Sequence, residues 1–342
     1  MRKQLNTITI REVAKSLNIS VATVSRALRD TYDVSPATRK KVLEKVHELN
    51  YKPNYSATGL AQGKTHNIGI VLPIVTNYYF STVITGIQEI AYNHDYNIIL
   101  YLTNDSPVKE LQILQDLPLG SFDGLLVSTS LGPDAAGHYC NIIDHGFPIV
   151  FFDRSVAGIK TSRVLQDDFN GGFEATKHLI LNGYTSIAHI TGPPELTITQ
   201  KRLQGYKAAL AKYNFTVNND WIIFSGFSQE WGEKDTEQLI LGKNRPDAIF
   251  AVNDRKAIGS MITLKKHNIR VGSQMGVVGF TNDPIAMIIS PSLTTVEEPA
   301  FEVGKTSCEL LIKHLAKKYF EPEEIILHGK LQIRESTKRE KG

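Results

Sequence analysis

Thr9-Ile10-Arg11-Glu12-Val13-Ala14-Lys15-Ser16-Leu17-Asn18-Ile19-Ser20-Val21-Ala22-Thr23-Val24-Ser25-Arg26-Ala27-Leu28-Arg29 is the stretch on which the reading turns. Thr9 and Glu12 have the spacing of a capping box, so a helix should begin at Ile10. Ile10, Val13, Ala14 and Leu17 fall on one stripe, and Asn18, a residue tolerant of the left-handed region, stops the helix. Ser20 can cap a second helix from Val21 to about Arg29, whose inner face is Val24, Ala27 and Leu28. Ser35-Pro36 opens a third, to about Asn50, with Val42, Leu43, Val46 and Leu49 toward the core. Three short helices around a tight turn form a helix-turn-helix module. The start of its second helix exposes Val21, Ala22 and Thr23, then Ser25 and Arg26. Small side chains let a helix sit deep in a major groove, threonine and alanine methyls can meet a thymine methyl, and Arg26 can give guanine two hydrogen bonds. Ser20, Thr23 and Ser25 suit phosphate contacts. Taken alone, the pattern is equally that of a solvated helical pair.

Outward from this stretch, charge is uneven. Residues 1–64 hold 12 Lys+Arg against 5 Asp+Glu, a net of +7, while the remainder holds 26 basic and 30 acidic residues, a net of −4. A basic segment on a mildly acidic body suits a polyanion-binding headpiece on a globular carrier. At 342 residues, 42% hydrophobic and 21% charged, the chain has material for two or three domains. It has no apolar run long enough to span a membrane and no signal-peptide core, so a cytoplasmic protein without membrane association is expected. Cys140 and Cys308 are far apart and read as thiols, and no metal or cofactor is expected.

From Asn67 onward apolar runs (Ile68–Leu72, Ile98–Leu102, Gly124–Val127, Ile149–Phe152, Ile187–Ile190, Ala248–Val252, Met275–Phe280) alternate with amphipathic helices. That is the pattern of buried parallel strands with crossover helices, in more units than one sheet holds comfortably, which favours two lobes. Open α/β sheets bind ligands beyond the strand C-termini. There the chain places Asn77-Tyr78-Tyr79-Phe80, Ser128-Thr129-Ser130, Asp153-Arg154, Thr191-Gly192, Asn253-Asp254 and Thr281-Asn282-Asp283, with Arg202 early in a helix. Aromatics with Asp, Asn and Arg suit a sugar, whose hydroxyls take bidentate hydrogen bonds and whose C–H face stacks on rings. Loops are polar in any case.

Several fixed motifs identify a resemblance to the lac-repressor (LacI/GalR) family. They are residues 9–14, Ile19–Arg26, Val34–Arg39 and Leu49–Asn54 in the headpiece. In the body they are Asp123-Gly124-Leu125-Leu126, Asp153-Arg154, Gln166-Asp167-Asp168, Arg202–Tyr206, Ala248–Asp254 and Pro291–Val296, with Ile333-Arg334-Glu335-Ser336-Thr337 matching the terminal strand. The resemblance implies an all-α helix-turn-helix headpiece (1–53), a hinge helix and linker (54–65), and a two-lobed, periplasmic-binding-protein-like α/β effector domain (66–342) of doubly wound parallel sheets. Its N-lobe would be about 66–166 plus 298–327, and its C-lobe about 167–297 plus 328–338. It also implies a dimer on a near-palindromic double-stranded operator, with affinity controlled by a small-molecule effector, a carbohydrate or derivative.

Residues implied for DNA are Thr9, Ser20, Val21, Ala22, Thr23, Ser25 and Arg26, with hinge residues Asn54, Ala57 and Leu60, the last as a minor-groove wedge. For the effector they are Tyr79, Phe80, Asp153, Arg154, Arg202, Phe227 and Asn253, to which the loops after the strands add Ser130, Thr281 and Asn282. Departures occur at Leu17-Asn18, where the family has Ala-Gly, at Thr58, where it has Arg, and at Thr281, where it has an Asp that clamps two hydroxyls. Asn282 or Asp283 would then substitute for that carboxylate.

Other readings fare worse. Gly59–Thr65 resembles a phosphate-binding loop but has three residues between its glycines and precedes a strand. No nucleophile elbow, dinucleotide fingerprint or zinc-helix motif occurs, so no enzyme is expected. A free solute-binding sensor without a DNA role would need a signal peptide and no headpiece.

Overall fold

The computed structural model describes residues 8–28, 33–51, 64–130, 136–317 and 321–339. Contacts divide the chain into two units, Met1–Thr65 and His66–Gly342.

In the first unit, α1 (Ile10–Leu17), α2 (Val21–Leu28) and α3 (Pro36–Glu48) form as their caps dictate. Both halves of the Thr9/Glu12 capping box are present, and Asn18 ends α1 at φ 52, ψ 43 with its N–H turned to Ala14 and Lys15 carbonyls. Ser20 Oγ accepts from Thr23 N at 3.0 Å and Ser35 Oγ from Thr38 N at 3.2 Å, which satisfies amides that the first helical turn leaves unpaired. Val13, Ala14, Val24, Ala27, Val42 and Tyr51 make the core. Leu43, expected on the core side of α3, is 45% exposed. Val42, Val46 and Leu49 already fill the inward stripe, which leaves Leu43 turned away.

The second unit holds two six-stranded sheets, ordered β11-β5-β4-β3-β1-β2 and β12-β10-β9-β8-β6-β7. The first is built from β1 (Asn67–Leu72), β2 (Asn97–Leu102), β3 (Gly124–Val127), β4 (Ile149–Phe152), β5 (Arg163–Gln166) and β11 (Glu324–Leu327). The second is built from β6 (Ile187–Thr191), β7 (Ile222–Phe224), β8 (Ala248–Ala251), β9 (Gly276–Thr281), β10 (Thr294–Glu297) and β12 (Lys330–Gln332). Every pairing is parallel except β10 with β12. The chain passes between sheets after β5, after β10 and between β11 and β12. Apolar clusters lie on both faces of each sheet, as buried parallel strands require.

Strands β5, β7, β10, β11 and β12 have three or four residues each, and in β5, β10, β11 and β12 polar or charged residues break the apolar run. The terminal strand expected at Ile333–Thr337 lies earlier, at Lys330–Gln332, and Glu335–Thr337 is a 3-10 turn. That turn is held by Ser336, whose hydroxyl donates to Val277 O at 2.6 Å.

The covering helices pair backbone to backbone at three places: α4 (Tyr78–Asn93) with α12 (Ala300–Leu315), α7 (Asp168–Leu181) with α8 (Thr197–Lys212), and α9 (Gln229–Leu241) with α10 (Asp254–Lys266). Each contact has a glycine on both helices: Gly86 and Gly304, Gly172 and Gly205, Gly232 and Gly259. A Cβ at any of them would strike the partner's backbone. The close approach sets the helix positions, and with them the first turns that face the cleft between the sheets.

Candidate functional site

Two surfaces carry the side chains singled out above, one in each unit. On α2, Val24 and Ala27 are buried while Val21, Ala22 and Arg26 are exposed, with Thr23 and Ser25 part-exposed between. Arg26 Nε donates to Ala22 O at 3.3 Å, and the Ser20 and Thr23 hydroxyls meet at 2.8 Å. No acidic residue stands in the first turn of α2, so its positive end is uncompensated and suited to an anion. Thr9 is exposed, with its hydroxyl and amide both given to Glu12. Asn54, Ala57, Thr58 and Leu60, and the phosphate-loop lookalike up to Gly63, lie outside the described residues.

In the second unit a cleft of about 280 Å³ opens between the lobes, lined among others by Tyr79, Phe80, Asp153, Arg154, Arg202, Phe227, Asn253 and Thr281. Each sits at or just beyond a strand end or in a helix's first turns. Arg202 Nε donates to Asp168 Oδ1 at 2.8 Å, Nη1 to Val252 O at 2.7 Å and Nη2 to Glu298 Oε1 at 2.7 Å, while its guanidinium lies 3.6 Å from the Phe280 ring centroid. Gln166 Nε2 donates to Glu298 Oε1 and to Tyr79 Oη, each at 2.9 Å, and lies 3.4 Å from Asp153 Oδ1. Ser128 Oγ donates to Asp153 Oδ2 at 3.1 Å. Arg154 Nη1 pairs with Asp105 Oδ1 at 2.5 Å, and its guanidinium lies 5.1 Å from the Phe227 ring and 6.0 Å from Phe80, within cation–π range of both lobes' aromatics.

Burial pushes Glu298 up to about 7, against the pull of Arg202, and raises Asp153 and Asp168 despite the same guanidinium. Buried carboxylates that remain charged need such pairing. Asp153 at φ 59 and Thr281 at φ 132 hold backbone conformations that branched and carboxylate side chains rarely adopt, and they do so at strand ends facing the cleft from opposite lobes. Strain of this kind gathers at ligand sites.

Two expected residues lie elsewhere. Ser130 is 7% exposed, its hydroxyl bound to Thr103 Oγ1 at 2.6 Å and its amide to Glu110 Oε2 at 2.6 Å, so a buried glutamate claims it for the N-lobe interior. Asn282 gives its Oδ1 to Arg334 Nη2 at 2.6 Å and does not line the cleft. Asp283 is absent from that lining as well, its amide bound to Asp254 Oδ2 at 2.8 Å. Asn282 therefore does not replace the missing carboxylate beside Thr281, whereas Asp283 lines a small adjoining pocket with Thr281, Tyr79 and Asn253. Glu298, Asp105 and Trp231 line the cleft and escape the sequence reading. Glu298 follows β10 directly, so the rule that located Asp153 and Asn253 would have located it had Thr294–Glu297 been read as a strand.

Residues 9–54 match the family model described as bacterial regulatory proteins, lacI family, and residues 176–337 match a periplasmic binding protein-like domain. The "HTH-type transcriptional repressor PurR" of Photobacterium profundum is 35% identical over 331 residues, 96% of this chain and 98% of that one. The chain belongs to the lacI family of bacterial regulatory proteins. It is a DNA-binding transcriptional regulator, not an enzyme. This lacI-family regulator is also 30% identical to catabolite control protein A of Priestia megaterium, covering 97% of this chain and 99% of that one.

Its fold matches a lac repressor dimer bound to operator and the anti-inducer ONPF, with a TM-score of 0.86 at 24% identity over 97% of this chain and 99% of that one. A CelR–cellobiose complex matches with a TM-score of 0.74 at 26% identity over 96% and 99%. Among the described residues no helix is long and apolar enough to cross a membrane.

Proposed function

We propose that this lacI-family regulator acts in the cytoplasm as a repressor. As a homodimer it reads a near-palindromic operator, and a small carbohydrate or derivative in the interlobe cleft sets its affinity. The observation that carries the DNA half is α2, whose Val24 and Ala27 anchor it from behind while Val21, Ala22 and Arg26 stand exposed and Thr23 part-exposed. Two such helices placed by a two-fold axis reach half-sites about one helical turn apart. Ser20, Thr23 and Ser25 meet phosphates beside them, and Thr9 does so from the start of α1. Residues 54–65 form the hinge and linker in this reading, with Asn54 capping a short helix, Ala57 at the paired hinges and Leu60 entering the minor groove.

The effector half rests on Tyr79, Phe80, Asp153, Arg154, Phe227, Asn253 and Thr281, which supply aromatic faces and hydrogen-bonding groups from both lobes of one cleft. Arg202 organises the floor beneath them. A ligand touching both lobes favours one lobe angle over another, and affinity for DNA follows only to the extent that the ligand distinguishes the two states.

The test is selection of duplexes from a random library by the full-length protein, followed by Arg26→Ala. The substitution should relax preference at one base position per half-site, at about 1–3 kcal/mol. Loss of affinity that is equal on all sequences would reduce Arg26 to a phosphate contact, and no sequence preference at all would end the DNA reading. Binding should also weaken steeply with salt, since phosphate contact releases counterions.

A further inference from the structure

How the charged groups of the cleft pair with one another decides what can join them. Two buried guanidiniums meet four carboxylates there. Arg202 has given all three of its nitrogens to Asp168, Val252 O and Glu298. Arg154 is bound to Asp105, with Nε 3.7 Å from Asp153. Arg255, at the exposed mouth, gives Nη2 to Thr76 O at 3.1 Å, which ties the C-lobe helix α10 to the loop ahead of α4.

Three of the helix ends beside the cleft are already capped by side chains. Asn77 Oδ1 accepts from Phe80 N at 2.9 Å, Asn253 Oδ1 from Lys256 N at 2.8 Å, and Ser228 Oγ from Trp231 N at 3.5 Å. Lone pairs are more plentiful. Glu298 Oε1 takes both Arg202 and Gln166, while Oε2 takes neither. Asp153 has only the Ser128 hydroxyl at 3.1 Å and the long Gln166 contact, with the Tyr79 hydroxyl beside it, although two carboxylate oxygens can accept about four hydrogen bonds.

We infer that the cleft admits an uncharged, hydroxyl-rich ligand and excludes its phosphate ester. A hydroxyl arrives as a donor to oxygens that have acceptor capacity left. A phosphate monoester brings about −1.5 to −2 charges and three acceptor oxygens, and it enters a site whose two buried guanidiniums are already paired with carboxylates, leaving Arg255 at the exposed mouth as the cation outside those pairs. Replacing a carboxylate's claim on Arg202 requires leaving Asp168 or Glu298 buried and unpaired, which is strongly unfavourable, while Arg154 stays between part-exposed Asp105 and buried Asp153.

The inference rests on the cleft being the effector site, and the experiment separates the two. Full-length protein is titrated with matched probes: glucose and glucose 6-phosphate, ribose and ribose 5-phosphate, cellobiose, adenosine and AMP, and inorganic phosphate. Trp231, which lines the cleft, reports through its fluorescence, with the thermal transition of the body as a second readout. The expected result is a response to at least one neutral probe, a weaker or absent response to its phosphate, and none to inorganic phosphate. Asp105→Asn, at a part-exposed carboxylate, should release Arg154 and tighten the phosphate probes by about tenfold or more, as a unit charge a few ångströms away does at a partly buried site. Glu298→Gln, by releasing Arg202, serves as the second variant.

A phosphate ester that binds as tightly as its parent, or phosphate probes unchanged in both variants, would overturn the inference and leave the effector reading standing. No response to any probe would overturn both.

Discussion

The reading face of α2 and the floor of the cleft are built at opposite scales of the chain. The headpiece bonds that shape α1 to α3 link residues three or four apart, as in Thr9 with Glu12 and Ser20 with Thr23. In the cleft, Gln166 reaches Tyr79 across 87 residues and Glu298 across 132, and Arg202 reaches Glu298 across 96. A surface made of caps and a six-residue core can form with little help from elsewhere. A floor assembled from three chain crossings exists only when both sheets are complete. Damage therefore stays local in one unit and spreads through the other.

Arg202→Ala should have the largest effect. It leaves Asp168 and Glu298 buried without their cation, at about 3–5 kcal/mol, and lowers the body's thermal transition. An unchanged transition in calorimetry would mean that the floor does not hold the two lobes' interiors together. Gly172→Ala comes next, since its Cβ meets the Arg202 backbone on the paired helix. Overpacking of that kind costs about 1–3 kcal/mol, whereas Gly137→Ala, on an open helical face with nothing nearby, should be neutral or slightly stabilising. Equal effects at the two glycines would undo the account of helix pairing. Ser35→Ala should cost about 1 kcal/mol, confined to the headpiece transition in circular dichroism, with Trp231 fluorescence unmoved.

A further effect is one of pH. Glu298 is raised from 4.5 to about 7 by burial, so the folded protein holds a proton that the unfolded chain has lost. That contribution is fully present below pH 4.5 and disappears as pH rises through 7. The stability of the wild type relative to Glu298→Gln should therefore fall across this window in denaturant titrations, and a flat difference would contradict it. His189, pushed down to about 3, and His314, pushed down to about 4, both by burial, act in the opposite sense but are common to both proteins and cancel.

Reading the sequence succeeded where the physics is local or periodic. Asn18 adopts the left-handed turn its side chain tolerates, and long buried strands such as β1 and β9 declare themselves by continuous apolar runs. It failed for strands whose apolar run is broken by polar residues. Strand β10 is the costly case, because with it went Glu298. It failed too for Ser130 and Asn282, whose positions after strands looked like those of Asp153 and Asn253. Only the fold shows that Glu110 and Arg334 had claimed them.

By itself, then, the sequence determined the helical headpiece, the exposed face of α2, the parallel-sheet body and most of the strand ends that face the cleft, because caps, spacing and hydrophobic periodicity are properties of neighbours along the chain. Only the tertiary structure decided which carboxylates neutralise Arg154 and Arg202, and so which charge a ligand can carry. Hydrogen-bond partners in a desolvated site are chosen by proximity in space, and no spacing along the chain records that choice.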